Sequence, residues 1–209
     1  MDGTFRPKGS GMPTFNKMKQ QAILNAALEL FAERGFHDAP MARVASQAKV
    51  GVGSIYRYFT DKPGLIDELY QQVDESLQQA IVQGVNQELS TRKQFLQLIV
   101  NLTNFLANHP QEFKFLEQYY HSPFGIDKKR EKWLLESKSG HKNHFMELFF
   151  KGKDAAVKPL PVPVLLSLSF GPVLFLVRDV IAGLVELDET LIAQVAEGCW
   201  EAISDKIKV

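Results

Sequence analysis

The chain has no second cysteine: Cys199 stands alone among 209 residues. No disulfide can form within the chain, and a reducing, cytoplasmic setting is expected. Net charge is absent as well, with 24 Lys and Arg against 24 Asp and Glu, so the molecule is not uniformly basic. No basic-then-apolar leader opens the sequence, and export is not expected. The opening MDGTFRPKGSGMP is rich in Gly and Pro and reads as a flexible arm over residues 1–15. Catalytic apparatus is missing too: there is no glycine-rich phosphate loop and no His-Glu zinc motif. His141 and His144, three apart on an expected helix, would need a third ligand to hold a metal, and a surface pair is the simpler account. An enzyme is not expected, and neither a metal nor a cofactor is called for.

Alternating strand patterns are also nearly absent, whereas helical periodicity runs almost throughout. Ile23, Ala26, Ala27, Leu30 and Phe31 form one apolar stripe, and Gly35 follows as a left-handed stop. Pro40 suits the first turn of a short helix over 41–48 that turns Val44, Ala45 and Ala48 inward. Lys49 to Gly51 make a tight turn, a second short helix runs from Val52 to about Phe59, and a long one begins near Pro63 with Asp61 or Lys62 as its cap. Further helices are expected over 91–108, 110–121, 127–152, 162–186 and 188–206. The fold class is all-α, with about nine helices.

One apolar run invites a different reading. VPVLLSLSFGPVLFLV, residues 162–177, is slightly short for a membrane span, contains Gly171-Pro172 and leads into Arg178-Asp179. A helix buried on nearly all sides, in a core or at a subunit interface, explains it better, and no membrane partner is expected.

Charge is distributed unevenly. Up to Lys62 there are nine Lys and Arg against five Asp and Glu, a balance of +4, and the remainder carries −4. One end of the chain thus suits an anionic partner. The stretch GVGSIYRYFTDK, residues 51–62, says which. On a helical wheel Val52, Ile55 and Phe59 share one side, while Gly53, Ser54 and Arg57 lie opposite with Tyr56 and Tyr58 on the flanks. So short a helix must lean on its apolar side, which leaves a guanidinium, a hydroxyl and a glycine facing out between two phenols. That face suits the major groove of double-stranded DNA. Gly53 admits close approach, Arg57 offers a fork to guanine or phosphate, and Tyr56 and Tyr58 reach phosphates on either side. Lys62 adds a cation, and the preceding short helix completes a helix-turn-helix.

The run ERGFHDAPMARVASQAKVGVGSIYRYFTDKPGLIDELY resembles the DNA-binding domain of the TetR (tetracycline-repressor) family. Gly35-Phe36, Val44-Ala45, Ala48, Val50, Gly53-Ser54-Ile55-Tyr56, Tyr58-Phe59, Lys62 and Leu65 carry the likeness over about 45 residues. Some positions depart from the family pattern. Ala39-Pro40 and Gly51 stand where Ser or Thr caps are usual, Lys49 replaces a common turn glycine, and Ala42 is too short for the polar contacts some relatives make there. Arg43, Val52, Gly53, Ser54, Tyr56, Arg57, Tyr58 and Lys62 are the DNA-contact candidates. Arg6, Lys8, Lys17 and Lys19 are weaker candidates.

The resemblance implies a DNA-binding domain over 16–62 and, over 63–209, a domain that dimerises and binds a small-molecule effector. Its operator would be two-fold symmetric, bound by a homodimer and released when the effector binds. Leu168, Gly171, Phe175 and Ile181, with Leu191, Val195, Cys199 and Ile203, are the dimerisation candidates; a four-helix bundle across a two-fold axis would pair them, with Gly171 and Gly183 allowing close approach. Phe105, Phe115, Tyr119, Tyr120, Phe124, Trp133 and Phe149 are aromatic candidates for an effector pocket, and Asp179 for a cationic ligand. The aromatics serve equally well in a plain core, which is the better account of any single one, and Asp179 would equally serve as the partner of a neighbouring Arg or Lys. Control by a protein partner is the alternative that the sequence leaves open.

Overall fold

The computed structural model describes residues 12–125, 148 and 157–205. Eight helices lie among them: α1 (Met12–Arg34), α2 (Met41–Gln47), α3 (Val52–Ile55), α4 (Lys62–Val82), α5 (Thr91–Asn108), α6 (Pro110–His121), α7 (Val162–Ile181) and α8 (Glu189–Ile203). Strands among the described residues are limited to one isolated bridge, Val157 with Ser204. The all-α expectation holds. The helix expected over 127–152 lies outside the described residues except at Leu148. The N-terminal helix begins at Met12 and so takes in residues 12–15, expected to belong to an arm.

The chain forms two compact units. The first comprises Met1–Gln71 and Lys114–Gly125, the second Gln72–Phe113 and Ile126–Val209. By packing, the first unit extends past residue 62 to Gln71 and takes in part of α6. The cause is aromatic packing. Phe36 meets Phe31, Phe115 and Phe124 edge-on at centroid distances of 5.3, 5.8 and 6.0 Å, and Tyr70 stacks on Tyr119 at 4.1 Å. Each such pair adds about 0.5–1.5 kcal/mol to what its burial contributes.

In the first unit α1 buries Ile23, Leu24, Ala27, Leu30 and Phe31, and α2 packs on both α1 and α3 through Met41, Val44 and Ala45. Gly35, at φ +77°, ends α1, and its amide donates to the Phe31 carbonyl. Neither α2 nor α3 has a side-chain cap, because Pro40 and Gly51 occupy the cap positions. Asp61 caps α4: its Oδ1 accepts from the Gly64 amide at 2.8 Å. Lys49 sits in the turn at φ +55°, a left-handed conformation in a residue other than glycine. That conformation costs about 1–2 kcal/mol, against about 0.5–1 kcal/mol of extra chain entropy for glycine. Lys49→Gly should therefore stabilise the protein by roughly 0.5–1 kcal/mol, read as a thermal midpoint higher by about 1–4 °C. A lower midpoint would mean that the lysine side chain holds the turn.

In the second unit α5, α7 and α8 pack together. Phe95, Leu98, Ile99, Leu102 and Leu106 meet Leu165, Val173 and Val177 from α7 and Ile192, Ala196, Cys199, Trp200 and Ile203 from α8. The buried hydroxyls of Thr103 and Ser169 donate to carbonyls one turn back, at 2.8 and 2.7 Å, so neither is stranded. Asp188 caps α8 through the Leu191 amide, and the Lys158 ammonium donates to the Ala202 carbonyl at its other end.

Within the single chain 22% of the most apolar window of α7 is buried, and its mean hydropathy of 1.9 meets the length and composition of a membrane span. Leu165, Ser169, Val173 and Val177 face the core, while Val164, Leu174 and Phe175 on other faces stay exposed. Gly183 lies beyond the end of α7 at φ +73°, where its amide donates to Val180 and the next amide, Leu184, to Asp179, which stops the helix at Ile181 rather than 186.

Candidate nucleic-acid interface

Regular α3 is one turn long, Val52–Ile55, rather than reaching Phe59. Beyond it the bonds tighten: the Arg57 amide donates to Ser54 and that of Tyr58 to Ile55, each three residues back. Ile55 and Phe59 are buried and anchor the element from both ends. Val52 does not share their burial; it is 43% exposed, because it occupies the free first turn. The outer face therefore carries Val52, Gly53, Tyr56 (54% exposed) and Arg57, with Ser54 and Tyr58 half-buried at its margin. Arg43 is exposed on α2. A Cβ added at Gly53 would meet nothing within 4 Å, so the backbone there is open to a large partner.

Lys62 begins α4 and is half-buried, its ammonium 6.0 Å from the centre of the Phe31 ring. Burial lowers its pKa from the ordinary value, and the nearby Asp38 works in the opposite direction. The Tyr58 hydroxyl donates to Asn16 Oδ1 at 3.3 Å, joining this face to the start of α1. Asn16 was absent from the sequence candidates. It lies 42 residues from Tyr58, and no local pattern links the two.

The ligand candidates scatter. Phe115, Tyr119, Tyr120 and Phe124 all belong to the first unit, where Phe115 and Tyr119 are fully buried in its aromatic core. Phe105 is in the second unit, half-buried and stacked on His109 at 4.3 Å. With His109 it borders an open groove of about 230 Å³ that is otherwise lined mostly by amides, among them Asn101, Asn104 and Asn108. Asp179 is half-buried on α7, and Trp133 and Phe149 lie outside the described residues, as do His141 and His144. Among the described residues no cluster of His, Cys, Asp and Glu is disposed to hold a metal ion.

The dimer candidates divide by geometry. Leu168, Gly171, Ile181, Leu191 and Val195 are half-buried and Phe175 is 63% exposed. Cys199 and Ile203 are fully buried in the unit's own core, with no surface left for a second chain. The row 191, 195, 199, 203 steps by four residues and drifts about 40° per step, so it turns about 120° and passes from the outer flank of α8 to the inner one. Burial also raises the Cys199 thiol from 9.0 to about 11. The native thiol should thus resist alkylation and react only through unfolding. The folded chain keeps this proton where the unfolded chain has lost it, so stability should fall as pH rises from about 9 toward 11. Rapid labelling of native protein at pH 8 would contradict both expectations.

Comparison with known proteins gives this geometry its setting. Residues 23–69 match the model of bacterial regulatory proteins, tetR family, and residues 90–204, more than half the chain, match that of the tetracyclin repressor-like, C-terminal domain. The chain belongs to the TetR family. It is a DNA-binding transcription regulator, not an enzyme. The TetR family protein of Vibrio parahaemolyticus is 32% identical over 90% of this chain and 99% of its own, with a TM-score of 0.71. A TetR family regulator from Marinobacter aquaeolei VT8 shares the fold at a TM-score of 0.80, with 21% identity over 93% of this chain and all of that one. The fatty acid metabolism regulator protein of Bacillus subtilis (strain 168) is 30% identical over 83 residues, 40% of this chain and 42% of its own. The match spans under half the length of that curated relative. In this TetR-family regulator the first family model covers α2, α3 and the exposed Tyr56-Arg57 edge.

Proposed function

We propose that this TetR-family regulator is a homodimeric repressor, working in the cytoplasm, that leaves a two-fold symmetric operator when a small apolar or aromatic ligand binds. Arg57 reads a base edge; Val52, Gly53 and Ser54 allow the helix to seat in the major groove; Arg43, Tyr56, Tyr58 and Lys62 hold phosphates. The observation that carries the reading is the second apolar stripe of α7. Val164, Leu168, Gly171 and Phe175 recur along a side opposite the core face, which water would otherwise cover. A second copy covers it by two-fold symmetry, with Leu191 and Val195 of α8 beside it. Two recognition elements then read two half-sites, as one short element reads too little sequence alone.

The ligand half of the reading rests on family membership and on the name of the fatty acid relative, which suits an apolar effector. Selection from a random DNA pool, followed by anisotropy titration at two salt concentrations, tests the first half. A two-fold symmetric site taking two chains supports it, and an asymmetric site taking one chain overturns it. Release from that site by fatty acids, acyl-CoA thioesters or aromatic compounds tests the second half.

A further inference from the structure

The bond between Tyr58 and Asn16 poses a problem of proton direction. A phenol has one proton, and here it points to Asn16 Oδ1 at 3.3 Å. Phosphate oxygens only accept hydrogen bonds, so Tyr58 cannot serve a phosphate while it donates to Asn16. Asn16 resolves this with its own chemistry, because its amide carries a donor as well as an acceptor. Turning the amide by half a revolution brings Nδ2 to the phenol oxygen. The oxygen then accepts from Asn16 and gives its proton outward. The start of α1 and the margin of the recognition element thereby share one polar hinge.

We propose that Asn16 is a positioning residue for DNA binding. It parks the Tyr58 hydroxyl in the free protein, and on DNA its amide reverses to support the phenol as that proton moves to a phosphate. The inference rests on the reading that Tyr58 meets a phosphate. Asn16 is exposed at the start of a long helix, so its replacement leaves the core intact.

A double-mutant cycle on the selected operator tests it, using full-length chains of unchanged thermal midpoint. Tyr58→Phe is expected to weaken binding about 3- to 10-fold per half-site, the value of one hydrogen bond. Asn16→Ala should weaken it by about 2- to 5-fold per half-site in the wild-type background and by nothing measurable beside Tyr58→Phe. The salt slope should not change, because neither side chain carries charge. An unaltered affinity for Tyr58→Phe overturns the phosphate reading and the inference with it. A loss for Tyr58→Phe with none for Asn16→Ala overturns the inference alone. So does an Asn16→Ala loss that persists in full beside Tyr58→Phe, which would mean that Asn16 touches DNA by itself.

Discussion

Arg57→Ala is expected to weaken operator binding by about 1–3 kcal/mol per bidentate base contact, or about 5- to 150-fold. On a symmetric site the contact is made twice, so the loss approaches double that figure and specific binding at physiological salt all but disappears. The folded protein should be indifferent. Arg57 is exposed, and the element that carries it is anchored by Ile55 and Phe59 rather than by its own side chain. Lys62→Ala supplies the contrast. A cation that meets only phosphate should cost affinity on every sequence alike and flatten the salt dependence by about one ion for each copy. Its loss also removes a half-buried stem from the Phe31 ring, so a small fall in thermal midpoint is expected for Lys62→Ala and not for Arg57→Ala. Titrating both variants against operator and random duplex separates base reading from phosphate binding. Wild-type affinity in both would mean that another face meets the DNA.

Phe175→Ala should separate the protomers. The ring is 63% exposed in one chain and carries Arg178 at 4.8 Å over its face. In a two-fold interface both copies of the ring would be lost at once. An aromatic anchor at the centre of an interface is worth about 2–4 kcal/mol, so the dimer should dissociate about 1,000-fold more readily or worse. Helix content should persist, since alanine suits a helix at least as well as phenylalanine and the core face of α7 is untouched. Sedimentation over a range of concentrations reads the change directly. Leu89→Glu, an exposed leucine preceding α5, should leave the association unaltered. A Phe175→Ala chain that still sediments as a tight dimer would place the interface elsewhere.

Local pattern foretold much of this molecule. The stripe from Ile23 to Phe31, the stop at Gly35, the turn before Val52 and the cap at Asp61 each depend on neighbours within a few residues, and each stands where that local chemistry put it. The reading of α7 illustrates the limit. Its composition showed that nearly every side was apolar, yet composition does not say what covers each side. One face lies against α5 and α8, and another stays open in the protomer.

Long-range contacts account for the rest. Phe115, Tyr119, Tyr120 and Phe124 look like pocket aromatics in a linear reading, and the fold gathers them with Phe31, Phe36 and Tyr70 instead. Cys199 and Ile203 left the outer face because a helix turns slightly more than a four-residue step allows for. Asn16 met Tyr58 across 42 residues with no periodicity to announce it. The sequence by itself determined the class of the fold and the helix-turn-helix, since both are set by helical period and turn chemistry over short spans. Only the tertiary structure decided which aromatics are core, which side of α7 remains open and which residue steadies Tyr58, because burial is a property of distant segments meeting.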